Sequence, residues 1–312
     1  MKFLKPILAV IAIVAVILAF YEPAQKKLAD VMVQAELIRV GMKAHTHTVN
    51  SNTFYYLDNE NTDAKETMIL IHGFGGDTLN WAKFAPYVDD YRVIIPDLIG
   101  FGLSDKAQDV SYTFEAQGQR VLDLADALGL ETYHVAGNSM GGAITMAMGL
   151  MAPEKVKTLG LFDPAGVFEF QTEWFKEAST GGDNPLVTKT EEDFFRTYDM
   201  AMSKAPFVPW PILKFKARDE VANSALKQEI FKVISTDPAS DMTPLLPKIQ
   251  QPTLVIWGDE DKLLHVGNAQ VINKNVPNSA MLIMEGYGHM PMLEAPKQSA
   301  KAFVDFIQSQ SN

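Results

Sequence analysis

The chain has 312 residues, 47% of them hydrophobic, and a formal net charge of -11. That length accommodates one large α/β core with an insertion, or two domains, and the acidic balance argues against nucleic acid as a partner. With no cysteine in the chain, disulfides, thiol catalysis and a lipoprotein cysteine are all excluded.

Residues 1–23 read as an N-terminal membrane anchor. Residues 7–20 are an unbroken apolar run, which Phe3 and Leu4 extend past Lys5 and Pro6. At 1.5 Å per residue, residues 3–20 span about 27 Å, close to a hydrocarbon core of about 30 Å. Lys2 and Lys5 also suit the charged start of a secretory signal, but no small-x-small cleavage site follows. An uncleaved single-pass anchor is therefore the expectation, with secretion after signal cleavage as the alternative. Lys26 and Lys27 balance Lys2 and Lys5, so counting cations does not orient the span. An N-terminal span of this kind usually leaves its N-terminus inside, which places the following domain on the non-cytoplasmic side.

Residues 24–43 read as an amphipathic stem helix, with Leu28, Val31, Met32, Ala35, Leu37 and Ile38 at helical spacing. It either packs on the main domain, the favoured reading, or lies on a membrane surface. From about residue 44, strands and helices alternate. Residues 48–57 look like an early antiparallel strand pair. Residues 67–71 form an apolar strand that runs into His72-Gly73-Phe74-Gly75-Gly76, and residues 91–95 form another, followed by Pro96 and Asp97. A helix is expected over 114–128, a strand over 132–136, a helix over 142–151 and a strand over 156–162. Strands at 253–257 and 280–284 and a helix over 296–308 close the pattern. Continuous apolar strands alternating with helices imply a mostly parallel central sheet with helices on both faces. The core is thus assigned to 44–163 and 249–312. Residues 164–248 interrupt the alternation and read as an inserted helical cap over the strand ends, where sheets of this kind bind ligands. Its aromatic residues mostly suit a small core of the cap itself. Trp210, between Pro209 and Pro211, is the one expected to face a substrate or lipid.

Gly137-Asn138-Ser139-Met140-Gly141 fits G-x-S-x-G between a strand and a helix. That context pushes a serine hydroxyl out of the sheet on a tight turn, and the helix N-terminus behind it favours developing negative charge. A serine nucleophile needs a base, an orienting acid and an oxyanion trap. Gly258-Asp259-Glu260-Asp261 follows one strand and Gly286-Tyr287-Gly288-His289 follows the last, at the same sheet edge as Ser139. His289 is the candidate base and Asp261 the candidate acid, with Asp163 and Asp259 as alternatives. The oxyanion trap is expected at the backbone N–H groups of Phe74 and Met140, with His72 holding the first of these loops by hydrogen bonds. His45 and His47 are an H-x-H pair with no third ligand in view, and no metal site is expected.

With these motifs, together with Asp97-Leu98-Ile99-Gly100-Phe101-Gly102-Leu103-Ser104 and Gly142, the chain resembles the α/β-hydrolase superfamily over about residues 45–310. Its span, stem and cap are similar to those of membrane-anchored monoacylglycerol lipases and of bacterial lipases and esterases. The resemblance implies a serine esterase or lipase, acting on monoacylglycerols or similar acyl esters without a cofactor. It also assigns Ser139 as nucleophile, Asp261 as acid and His289 as base. A carbon–carbon bond hydrolase of the meta-cleavage-product type carries a similar motif set, but the anchor disfavours it. An inactive anchored binding protein is a more remote alternative.

Overall fold

In a computed structural model that describes residues 22–179, 184 and 186–310, the chain builds an eight-stranded sheet. The strands are β1 (Lys43–Val49), β2 (Asn52–Asp58), β3 (Thr67–Ile71), β4 (Arg92–Pro96), β5 (Tyr133–Asn138), β6 (Val156–Phe162), β7 (Thr253–Gly258) and β8 (Ser279–Met284). Their order across the sheet is β1-β2-β4-β3-β5-β6-β7-β8. β1 pairs with β2 and β2 with β4 in antiparallel fashion, and every other pair is parallel. The expected anchor at residues 3–20 lies outside the described residues, and no helix among the described residues is long and apolar enough to cross a membrane.

The centre of the sheet is buried on both faces because strands such as β3, β4 and β7 are apolar on both. Along β3, Ile69 and Ile71 face one hydrophobic cluster while Met68 and Leu70 face the other, as a two-residue period requires. The first cluster is covered by α3 (Phe114–Ala127), α4 (Met140–Met151) and α9 (Gly267–Asn275). The second is covered by α2 (Leu79–Ala82) and α11 (Pro296–Ser309). Thr113 caps α3, its side chain accepting the Ala116 N–H at 3.2 Å. Helix α4 is apolar on nearly every side and buried over most of its length, the pattern of a core helix rather than a surface one.

Two boundaries differ from the sequence expectation. The stem helix α1 runs over Glu22–Arg39 and stops short of residue 43. Gly41 takes a φ of 71°, its N–H donates to the Ile38 carbonyl, and the Met42 N–H reaches back to Leu37, which is a Schellman stop. The early hairpin is longer than 48–57. β1 begins at Lys43, and its exposed, polar sequence KAHTHTV gives an edge strand no hydrophobic alternation to reveal it. Asn50 and Ser51, both at positive φ, make the tight hairpin turn.

Between β6 and β7 the chain leaves the sheet and forms α5 (Glu173–Ser179), α6 (Glu191–Ala201), α7 (Trp210–Ala222) and α8 (Ser224–Thr236). α6 starts with a capping box, in which the Thr190 hydroxyl accepts the Asp193 N–H and the Asp193 carboxylate accepts the Thr190 N–H. α1 packs along α7, and Arg218 on α7 bonds to Gln25 at 2.8 Å. The stem is therefore docked on this insertion.

The strand order also fixes where a ligand can enter. β4 lies on one side of β3 and β5 on the other, so the chain reverses its direction of travel between β3 and β5. The loops leaving their C-terminal ends part there and open a crevice. Those loops carry His72-Gly73-Phe74 and Ser139.

Candidate active site

Ser139 stands alone between β5 and α4 with φ 55° and ψ -120°, a conformation that costs a non-glycine residue about 1–3 kcal/mol and persists where the surroundings enforce it. The enforcing contacts are visible. The Ser139 N–H donates to the Phe162 carbonyl at 3.0 Å, and its own carbonyl accepts the N–H groups of Gly142 and Ala165, each at 2.9 Å. A side chain at Gly137 would put its Cβ 2.1 Å from the Gly141 carbonyl oxygen, and one at Gly141 would lie 2.4 Å from that of Ile71. Both glycines are therefore required by close backbone approach. Gly137→Ala is expected to lower the melting temperature by on the order of 5 °C or more, because overpacking costs about 1–3 kcal/mol. A thermal scan checks this, and an unchanged melting point would mean the turn can open.

Met140 and the loop of Phe74 flank Ser139. Met140 is the first residue of α4, so its N–H has no partner within the helix. The loop of Phe74 lies close by, since a Cβ on Gly73 would come within 3.1 Å of the Ser139 Cβ. His72 holds this loop in place. Its Nδ1 bonds the Gly73 carbonyl at 2.7 Å, and its Nε2 accepts the Leu98 N–H at 3.0 Å. Burial pushes the His72 imidazole down to about 4, so the neutral ring can donate through Nδ1 and accept through Nε2. Asp97 braces the next loop, accepting the N–H groups of Thr78 and Leu103, each at 2.6 Å.

His289 and Asp261 come together from the loops after β8 and β7. His289 Nδ1 lies 2.7 Å from Asp261 Oδ2. The carboxylate is fixed on all sides. Oδ2 also accepts the Trp257 indole N–H at 3.1 Å, and Oδ1 accepts the N–H groups of Leu263 and Leu264 at 2.8 and 3.0 Å. With Nδ1 engaged, Nε2 is the imidazole atom left for chemistry. Ser139, Met140, Phe74 and His289 all line one cavity of about 1150 Å³.

Neither of the two alternative acids is hydrogen-bonded to the His289 imidazole. Asp259 is exposed and accepts the Gly286 N–H at 2.6 Å. Asp163 is fully buried behind Asp261, with Oδ1 accepting the Gly258 N–H at 2.9 Å and Oδ2 left without a hydrogen-bond partner. Burial, and then the charge of Asp261 beside it, push the Asp163 acid well above the usual carboxylate range, which favours its neutral form. Asp163, Asp261 and His289 each bring one possible ligand atom within 4.8 Å of the others. The four donors already aimed at Asp261 make this the surroundings of a hydrogen-bonded carboxylate. His45 is accounted for by Glu60, 3.1 Å from its Nε2, and by stacking on Tyr56.

The cavity wall is mostly apolar. Trp174, Phe175, Phe194 and Phe207 from the insertion line it, so these aromatics are shared between the insertion's own packing and the cavity. Trp210 is half-exposed and lies outside that lining, with the Lys214 ammonium 5.8 Å from its ring. Its neighbours Val208, Pro209 and Ile212 line the cavity instead. Met32, Val33 and Ala35 of α1 complete another part of the wall.

Three supporting residues escaped the sequence reading. The Trp257 indole orients Asp261, and the Asn138 amide reaches the His289 carbonyl at 2.9 Å. Glu294 gathers backbone N–H groups around the His289 loop. Of these, only Asn138 carried a signal, as a polar side chain ending a strand of apolar residues.

Comparison with known proteins agrees with this architecture. A family model described as "alpha/beta hydrolase fold" matches residues 66–296. The chain is 36% identical to "Lipase 3" of Moraxella sp. (strain TA144) over 282 residues, covering 89% of each protein. It is 25% identical to "Monoacylglycerol lipase abhd6-B" of Xenopus laevis over 287 residues, covering 86% of this chain and 83% of that protein. Among solved structures it is similar to a membrane phospholipase A described as a bacterial virulence factor. That match has 34% identity and a TM-score of 0.89, and covers 100% of this chain and 99% of the other.

Proposed function

Since the chain belongs to the α/β-hydrolase fold family, we propose that it is a serine hydrolase of lipid carboxylic esters, monoacylglycerols or similar acyl esters among them. The observation that carries this reading is the 2.7 Å contact of His289 with Asp261, on a cavity that also holds the strained Ser139. Ser139 Oγ attacks the ester carbonyl while His289 Nε2 takes its proton, and Asp261 holds the imidazole through Nδ1. The N–H groups of Phe74 and Met140 stabilise the tetrahedral oxyanion, each donor contributing about 3 kcal/mol at the transition state. Collapse of that intermediate releases the alcohol, which takes the proton from His289. Water, deprotonated by His289, then attacks the acyl-enzyme, and the carboxylic acid leaves with Ser139 restored.

The aromatic and aliphatic wall supports a long acyl chain as the part of the substrate that is bound, since a cavity of this lining gains mainly from apolar burial. We take residues 164–248 as a cap that closes this wall over the strand ends, and residues 3–20 as the anchor that keeps the domain at a membrane on its non-cytoplasmic side. Cleavage of the domain by external protease in intact spheroplasts supports that topology, and protection of it would reverse the orientation.

A hydrolysis panel tests the activity. Monoacylglycerols, triacylglycerols, short p-nitrophenyl esters and a meta-cleavage dienone acid are each assayed before and after treatment with a fluorophosphonate. Turnover of acyl esters that the fluorophosphonate abolishes is the expected result. Turnover of the dienone acid alone would establish the carbon–carbon hydrolase instead, and no turnover of any substrate would favour a binding protein.

A further inference from the structure

The loop that carries His289 is held from two sides. On the inner side the Asn138 amide, one residue before Ser139, donates to the His289 carbonyl at 2.9 Å. On the outer side the His289 N–H donates to the carbonyl of Ala201 at 2.8 Å, the last residue of α6. Glu294, in the short helix α10 (Pro291–Glu294), then joins the same two segments. Its Oε1 accepts the N–H groups of Gly288 and Met290 at 2.9 and 3.3 Å, one on each side of His289. Its Oε2 accepts those of Ser203 and Lys204 at 2.8 and 2.7 Å, just beyond α6. The fit is close, since a Cβ on Gly288 would lie 2.8 Å from the Ser203 nitrogen and 2.9 Å from the Ala201 oxygen. The Lys204 ammonium rests 4.1 Å from the centre of the Tyr287 ring.

We infer that Glu294 is a positioning residue for the reaction, registering the His289 loop against the helical insertion so that the imidazole is aimed only while the insertion is docked. This rests on the function proposed above. Four N–H groups converging on one carboxylate are charge-assisted bonds, about twice as strong as neutral ones. They tie a loop of the sheet to a segment that is otherwise joined to it by the main-chain bond from His289 to Ala201. Ala201 and Met202, in the tied segment, also line the cavity. An acyl chain pressed against that wall therefore bears on the segment that holds the base. Positioning matters here because misplacing a catalytic group by about 1 Å costs about 10²-fold in rate.

Glu294→Gln and Glu294→Ala test the inference, with Ser139→Ala assayed beside them. Sites are counted by titration to completion with a p-nitrophenyl phosphonate, so that kcat is expressed per competent site. Gln keeps one acceptor oxygen of the two, and Ala keeps none. The expected result is a graded loss of kcat, about tenfold for Gln and about 10²-fold for Ala, with KM for a short ester within about twofold of wild type. Glu294→Gln should keep a near-normal melting temperature, which guards against loss of fold in the alanine variant. A purely structural role would lower the melting temperature and the number of titratable sites but leave kcat per site alone. That outcome, with Ser139→Ala inactive, overturns the role of Glu294 and leaves the serine hydrolase standing. Turnover that survives Ser139→Ala overturns both.

Discussion

Ser139→Ala is expected to lower kcat for ester hydrolysis by about 10⁴–10⁶-fold, the range for losing the nucleophile of such a unit, while the fold persists. Alanine removes Oγ and nothing else that supports the turn. The four hydrogen bonds that hold residue 139, to Phe162, Gly142, Ala143 and Ala165, are all main-chain bonds. What should survive is catalysis by the oxyanion donors proposed above and by binding. The strained backbone offers a second readout on the same position. At φ 55° and ψ -120°, glycine is unstrained where serine and alanine are not. Ser139→Gly should therefore be as inactive as Ser139→Ala but more stable by about 1 kcal/mol, a margin a denaturant titration can resolve. Full activity in Ser139→Ala would remove the acyl-enzyme from the mechanism. Equal stability of the two variants would mean that the turn relaxes when the serine is gone.

Asp261→Asn is expected to lower kcat by about 10⁴-fold, and Asp163→Asn by less than about tenfold. The two acids differ in what they touch. Asp261 receives the His289 ring nitrogen, the Trp257 indole and two backbone N–H groups. An amide there would turn an N–H₂ toward at least one of these donors and press the imidazole into the wrong tautomer. Asp163 accepts a single N–H, from Gly258. Burial and the adjacent Asp261 push its acid well above the usual range, so asparagine nearly matches the neutral form already favoured. It preserves the carbonyl oxygen that Gly258 needs. Steady-state kinetics on both single variants decides the matter. A large loss at Asp163 with a small one at Asp261 would exchange their roles.

The parts of this fold that were legible in the sequence are those where burial and chemistry coincide. β3 and β7 are nearly continuous apolar runs because the sheet is covered on both faces there. The serine turn is legible because two glycines are demanded by backbone approach within 2.5 Å. The order serine, aspartate, histidine then follows from the strands that each loop leaves. The opposite holds for β1. Its side chains alternate between exposed and half-buried at the sheet edge, so burial left no mark on its composition. The sequence favours Asp261 over Asp163 and Asp259 by its place in the turn, and the contact with the imidazole is what sets it apart in the structure. Glu294 was illegible. Its partners are backbone N–H groups, which every residue but proline possesses, so nothing in residues 201–204 marks them as its mates. Trp210 illustrates the ambiguity of aromatics, since bulk between two prolines fits a wall facing inward or a surface facing out.

The stem helix α1 bears on how the protein can be trimmed for study. Ala29 and Leu37 are buried, and Leu37, Val40 and Met42 belong to one of the two hydrophobic clusters. Met32, Val33 and Ala35 furnish wall to the cavity. A form that starts at residue 22 removes the apolar run at residues 7–20 and keeps the enclosure whole. One that starts at residue 43, where the sheet begins, forfeits about 1.5–3 kcal/mol for each large core side chain removed and leaves the acyl wall open on one flank. For this chain, the stem belongs with the folded domain rather than with the residues before it.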